Sequence, residues 1–247
     1  MVNRLGNKIE MNTILGNPLI DIYVVLYGGV GTTFLINFLS KYLYTNHPAD
    51  ADGFKHIPLP PIRVKPQARF IYIFGDPIVS AISLFRRNFH YQQSKKLQRF
   101  NLIQNLINKD ENISSYANRG KDKLNIEQHF NNWFQHYRLY RTLFLRYDSI
   151  WDNIGHLIDF LELPEYVIND FPKKRERNSL IDSIDAETYD KLKSMYRNFS
   201  AQIEALPNVI IREALETKAS RFRCYLSSQY IKAYCQFGIA GFKRRLK

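Results

Sequence analysis

Three glycines and two threonines, spaced as Gly28-Gly29-Val30-Gly31-Thr32-Thr33, have the residue types needed to bind a compact anion. Glycine carries no Cβ, so backbone there can approach a ligand closely. Thr32 and Thr33 add hydroxyls where a following helix would leave its first N–H groups unpaired. Free N–H donors and the positive end of the helix dipole then converge on one point, an arrangement that cradles phosphate or sulfate. Glycine turns between strands and helices also occur with no ligand at all; what sets this one apart is three glycines together with paired threonines at the helix start. An ATP-type loop would close on Gly-Lys-Ser or Gly-Lys-Thr. Here Gly31 runs directly into Thr32, which argues against a nucleoside triphosphatase or a P-loop kinase.

Such a cradle needs a strand before it and a helix after it. Ile22 to Tyr27 is an apolar, β-rich run, the pattern of a strand buried on both faces. Phe34, Leu35, Phe38, Leu39 and Tyr42 then share one face of a helix expected to end near Leu43. Thr45 to Gly53 reads as loop, and Phe54 to Ile57 as a short strand closed by Pro58, Pro60 and Pro61. Arg69 to Phe74 is a second buried strand, followed by Gly75-Asp76-Pro77 and a helix with Val79, Ile82, Phe85 and Phe89 inward. Asp76 is expected to cap that helix. Strand–turn–helix units in series predict an α/β fold with a central parallel sheet flanked by helices.

Asn88 to Gly120 is rich in Gln, Asn and Lys; it is expected to be a substrate-side insertion or mobile lid, with a short helix around Leu97 to Ile107. Asn125 to Tyr140 places Ile126, Phe130, Trp133, Tyr137 and Tyr140 at helical spacing, with Trp133 as a core anchor. Leu143 to Tyr147 predicts a third strand. Asp152 to Leu161 predicts a helix, with Asp148 as its cap. Asp185 to Leu206 predicts a long helix whose Tyr189, Leu192, Tyr196, Phe199, Ile203 and Leu206 form one buried stripe. The chain thus divides into an N-terminal extension (1–20), a single α/β domain (21–210) and a basic amphipathic C-terminal segment (211–247).

With 247 residues, 45% of them hydrophobic and 23% charged, one well-packed domain is expected. A formal net charge of +12 favours an anionic partner: nucleotide, polyanionic glycan, nucleic acid or membrane surface. From Lys218 onward there is no acidic residue, while Arg221, Arg223, Lys232, Lys243, Arg244 and Arg245 alternate with aromatic residues. A packed helix with a solvated basic end outweighs contact with a membrane surface or polyanion there. No nucleic-acid motif accompanies the charge, so no specific nucleic acid is predicted. Cys224 and Cys235 have no metal-ligand spacing and read as reduced thiols. With no signal-peptide pattern or membrane-spanning run visible, a cytoplasmic location is expected.

Several stretches together resemble the sulfotransferases that use 3′-phosphoadenosine 5′-phosphosulfate. Gly29-Val30-Gly31-Thr32-Thr33 is similar to the family's 5′-phosphosulfate loop, usually Lys-x-Gly-Thr-Thr before an apolar helix. Phe70 to Pro77 with Ser83-Leu84-Phe85 resembles the 3′-phosphate motif: a strand, Arg-Asp/Asn-Pro, then a serine on the next helix. Lys55-His56-Ile57-Pro58 resembles Lys-x-His-Leu-Pro, whose histidine is the catalytic base. Trp133 and His136, Leu145-Arg146-Tyr147-Asp148 and Phe160-Leu161-Glu162-Leu163-Pro164 resemble Trp-x-x-His, Leu-Arg-Tyr-Glu-Asp and Phe-Leu-Gly-Leu-Pro. Asn178-Ser179 is more weakly similar to the bacterial members' C-terminal pattern. The motifs run from Ile22 to Leu206 in the family's order.

The resemblance implies a P-loop NTPase-like sulfotransferase fold and sulfonate transfer to a hydroxyl acceptor, with carbohydrate the class suggested by a short 45–53 loop and basic charge. It implies that Gly28, Gly29, Val30, Gly31, Thr32 and Thr33 hold the phosphosulfate, that Ser83 donates to the 3′-phosphate, and that His56 is the base. It also departs from the family. The loop lysine is Gly29 here and the 3′-phosphate arginine is Gly75. Losing two charge-assisted contacts of roughly 1.5–3 kcal/mol each would cost about 3–6 kcal/mol of donor binding. Three explanations stay open. Lys55, Arg86, Arg87, Lys65 or the basic 173–177 stretch could supply the charge; the donor could lack the 3′-phosphate; or the protein could bind a nucleotide or glycan without turnover.

Overall fold

The computed structural model of the chain describes residues 16–61, 64–101, 104–135, 140–174 and 183–214. The expectations for His136, Arg175, Arg177, Asn178, Ser179, the cysteines and the basic tail lie outside these residues. Among the described residues the core is a four-stranded sheet in the order β1 (Ile22–Leu26), β2 (Arg69–Phe74), β3 (Thr142–Arg146), β4 (Val209–Arg212). β1, β2 and β3 pair in parallel, with Tyr23 opposite Phe70 and Ile71 opposite Leu143; β4 joins β3 antiparallel. Each of the parallel strands is buried nearly throughout, as their continuous apolar runs require. β4 was not anticipated: only four residues long, it follows Pro207 closely and carries the domain two residues past the expected boundary at 210.

Helices cover the sheet: α1 (Thr33–Leu39), α2 (Pro77–Arg86), α3 (His90–Leu97), α4 (Ile113–Asn118), α5 (Ile126–Phe134), α6 (Ile154–Leu161) and α7 (Ala186–Glu204). Asp76 caps α2 as expected, its Oδ1 accepting from Ile78 N at 2.7 Å and Val79 N at 3.2 Å. Asp185 does the same for α7 through Thr188 N. The α7 stripe is buried at Leu192, Tyr196, Phe199 and Ile203, and Trp133 is fully buried. No helix of the described residues is long and apolar enough to cross a membrane.

Four expectations change. α1 stops at Leu39 rather than near Leu43. Asp148 does not cap α6; it is exposed in a 3₁₀ turn, Tyr147–Ser149, too far ahead of Ile154 to reach its first N–H groups. Among the described residues the polar insertion has its helices at His90–Leu97 and Ile113–Asn118 rather than around Leu97 to Ile107, because Gln98 ends the first. The Gln98 side chain accepts from Asn105 N at 2.8 Å and donates to Asn105 O and Lys123 O, closing a loop. Finally, Phe54 to Ile57 forms turns, not a strand. The carboxylates of Asp50 and Asp52 take the amides of Lys55 and Phe54, and Pro58 has none to give.

What this segment does instead fixes the site. β1 is an edge strand, and residues 44–56 cover its outer edge. Ile22 N donates to Tyr44 O; the Asn46 side chain accepts from Val24 N at 2.7 Å and donates to Val24 O at 3.1 Å; Leu26 N donates to Lys55 O at 3.0 Å. Asn46 is fully buried and acts as a one-residue surrogate strand. Asn46→Ala leaves the Val24 N–H and C=O buried and unpaired. It should cost about 2–4 kcal/mol, read as a lower urea midpoint at unchanged m-value.

Candidate functional site

The glycine turn leaves β1 with Gly28, Gly29 and Gly31 at φ +102°, +82° and +67°, conformations that other residues reach only with strain. Packing adds a second requirement. A Cβ on Gly29 would lie 2.5 Å from Ser80 Cα and 2.6 Å from Ser80 O on α2, and one on Gly28 would meet the Gln93 side chain of α3. No lysine can therefore occupy position 29 in this fold. Val30 points inward, 4% exposed, and would crowd any Cβ at Gly75 at 3.2 Å. Gly75 is clamped from the other side: its N–H donates to the Tyr27 hydroxyl at 2.7 Å, and that hydroxyl donates to Gly75 O. Gly29 thus sits where α2 backbone leaves no room for a side chain, whereas Gly75 is crowded only by the side chains of Val30 and Tyr147.

A cation reaches the turn from another segment. Lys55 is 7% exposed, and its Nζ donates to Thr33 Oγ1 at 2.9 Å and to Pro48 O at 2.7 Å. An ammonium therefore rests on a hydroxyl of the turn itself. Burial, opposed by the Asp50 carboxylate and reinforced by the charges of Lys96 and Arg87, brings Lys55 down to about 8. Next to it, His56 Nδ1 lies 2.9 Å from Leu26 O. A carbonyl only accepts, so Nδ1 carries the proton and Nε2 keeps its lone pair. Burial, against the pull of Asp50, holds His56 down at about 4.

The pair is fixed from two sides. β1 holds it through Leu26, and α5 grips the next two residues, with Trp133 Nε1 donating to Ile57 O at 2.9 Å and Asn132 Nδ2 to Pro58 O at 3.1 Å. Trp133 is thus both the expected core anchor and a clamp on the histidine segment.

One cleft of about 320 Å³, near the lower end of the ~300–1,000 Å³ usual for ligand sites, gathers Gly28, Gly29, Gly31, Thr32, Thr33, Lys55, His56 and Arg87. Thr32 Oγ1 is buried there without a partner. Arg87 donates its Nε to Ser83 O at 3.0 Å and lies over the Phe89 ring. Three expected residues stand apart. Val30 is in the core; Ser83, 6% exposed, lines neither this cleft nor its neighbour; Arg86 faces a larger cavity of about 670 Å³ with His90 and Phe85. That larger space holds none of the glycine turn, so the smaller cleft is the chemical centre. Sequence reasoning missed Asp50, Gln92, Gln93 and Lys96, which complete its wall from the 45–53 loop and α3. The polar, non-apolar character of the insertion was the available signal. Far from a mobile lid, α3 is packed: Gln93 Nε2 donates to Tyr27 O at 2.9 Å and Ser94 is fully buried. Among the described residues no group of three or more His, Cys, Asp or Glu is placed to hold a metal ion.

Arg146, in the Leu-Arg-Tyr-Asp stretch, is structural: its guanidinium donates to Ile203 O and Leu206 O at the end of α7. Comparison of the chain with models of known families, with curated proteins and with solved structures finds no match.

Two expectations follow. Gly29→Ala should lower stability by about 2–3 kcal/mol or prevent folding, since a Cβ there strikes α2 backbone at a positive φ; thermal unfolding measures it. The second concerns pH. His56, and His129 behind it at about 3, are held neutral by burial, so the unfolded chain (near 6.5) binds more protons. Stability should be full above about 6.5 and fall on acidification, by about 2 kcal/mol per imidazole between pH 7 and 5. A His129→Gln variant should show a shallower loss in urea titrations at the two pH values.

Proposed function

We propose that this cleft binds the phosphosulfate end of 3′-phosphoadenosine 5′-phosphosulfate and that the chain transfers sulfonate to a hydroxyl acceptor, in a P-loop-like sulfotransferase fold. The observation that carries the reading is the Lys55 ammonium on Thr33 Oγ1: it returns a cation to a glycine–threonine turn that lacks its expected lysine. The donor supplies an activated sulfonate and a stable leaving group. The chain's residues do the rest. Backbone N–H groups and the threonine hydroxyls of the turn orient the anion, with Thr32 Oγ1 available as a further donor. Lys55 neutralises charge as it builds on the bridging oxygen, a kind of contact whose loss commonly costs 10²–10³ in rate.

His56 Nε2 takes the acceptor's proton as the acceptor oxygen bonds to sulfur and the sulfur–oxygen bond to the leaving phosphate breaks. Its low value keeps it deprotonated at neutral pH, and an anion bound beside it raises its basicity. Arg87, which lines the cleft, supplies a cation for the 3′-phosphate. Carbohydrate remains the acceptor class favoured by an open, basic site.

Adenosine 3′,5′-bisphosphate should raise the melting temperature in a concentration-dependent way. Radiolabel from the sulfonate donor should appear on hydroxylated acceptors, with saccharides tried against phenols and sterols. His56→Ala should cut turnover at least 100-fold at nearly unchanged donor affinity, whereas Lys55→Met should weaken both. Stabilisation without label transfer would mark a binding protein without turnover, and neither effect would end the proposal.

A further inference from the structure

The cleft contains one carboxylate the proposed chemistry has not used. Asp50 has φ +60°, its side chain is 5% exposed, and its two oxygens do different things. Oδ1 accepts from Lys55 N at 2.9 Å; Oδ2 accepts from Lys96 Nζ, on α3, at 2.6 Å. Asp50 therefore joins the loop carrying Lys55 and His56 to the opposite cleft wall. It is also the only negative charge among the described residues that line the cleft; Lys55, Arg87 and Lys96 are the positive ones.

We propose that Asp50 is the charge-setting residue of this cleft, controlling with pH the proton occupancy of Lys55 and His56 while Lys96 opposes it. The inference deepens the reading above, because it takes Lys55 and His56 as the working pair.

The signs follow from which charges face each group. Lys55 meets Asp50 from its own loop, Lys96 from α3 and Arg87 from the end of α2; the carboxylate favours the ammonium and the two cations disfavour it. His56 meets Asp50, Lys96, Lys55 and, from α5, His129. Asp50 in turn meets Lys96, Arg99, His56 and Asp52, and despite burial, which pushes it up, the net effect of its neighbours holds it below the usual carboxylate range. It stays charged where Lys55 titrates. Lys96 is the natural mobile member: its side chain is 39% exposed, so an incoming anion can draw it from Asp50, leaving the carboxylate to stabilise an imidazolium on His56.

Asp50→Asn tests this with little change of shape. Asparagine tolerates a positive φ and keeps an oxygen for the Lys55 amide, while its NH2 replaces Oδ2 and gives up the Lys96 contact together with the charge. In ligand-free protein with ¹³C-labelled lysine, the Lys55 side-chain resonance, assigned by its loss in Lys55→Arg, reports the midpoint directly. Asp50→Asn should lower that midpoint by roughly one to two pH units, and Lys96→Met should raise it. A purely structural role would destabilise both variants without opposite displacements. An unmoved midpoint in Asp50→Asn, or movement in the same direction in both, overturns the proposal; if Asp50→Asn does not fold, Lys96→Met decides by the same upward shift or its absence. Where wild type transfers sulfonate, both limbs of the Asp50→Asn rate–pH profile should move to lower pH. Failure of transfer in wild type would sink the functional reading and leave the lysine titration to judge Asp50 by itself.

Discussion

The structure depends on how the outer edge of β1 is satisfied. An edge strand presents N–H and C=O groups that must find partners or water. Here residues 44–56 meet that demand without forming a strand: Tyr44 backbone, the Asn46 amide, Lys55 O and the His56 ring take the outward groups of Ile22, Val24 and Leu26 in turn. The last two of these partners are the two residues with chemistry to offer. Completing the sheet edge and placing an ammonium and an imidazole beside the glycine turn are the same set of hydrogen bonds.

That coupling explains why the cleft can hold desolvated, poorly stabilised groups. Burial pulls Lys55 down to about 8 and His56 down to about 4, against the carboxylate of Asp50, so at neutral pH the ammonium keeps its proton and the imidazole does not. Trp133 and Asn132 from α5, and Gln93 from α3, fix the backbone around them. Lys55, Arg87 and Lys96 crowd like charge along this cleft, which adds to burial in lowering Lys55, while the Asp50 carboxylate opposes both.

The scaffold behind the cleft is polar where helices meet. The hydroxyls of Tyr116 on α4 and Tyr196 on α7 lie 2.6 Å apart, and both donate to Asp122 Oδ1, at 3.1 and 2.9 Å, while Asp122 Oδ2 accepts from Glu127 N near the start of α5. Burial raises Asp122, a direction opposite to that of Asp50. The difference lies in the partners: Asp122 meets neutral hydroxyls and an amide, Asp50 meets Lys96 and Arg99.

The sequence by itself determined what depends on short-range pattern. The apolar runs at Ile22, Arg69 and Leu143 named the parallel strands, Asp76-Pro77 named a helix start, and the glycines with Thr32 and Thr33 named the turn, because strand burial, capping and positive φ are local constraints. Only the tertiary structure decided which residues stand at that turn. Asn46 as a surrogate strand, Lys55 reaching Thr33 across twenty-two positions, Asp50 paired with Lys96 of α3, and β4 closing the sheet all depend on contacts between segments far apart in the chain. Gly29, which as a letter looked like a lost cation, is in the fold a place where α2 backbone passes too close for any side chain. Hydrogen-bond demand at a sheet edge is not written in any one stretch; it arises when the strand finds its place, and the residues that answer it are known only then.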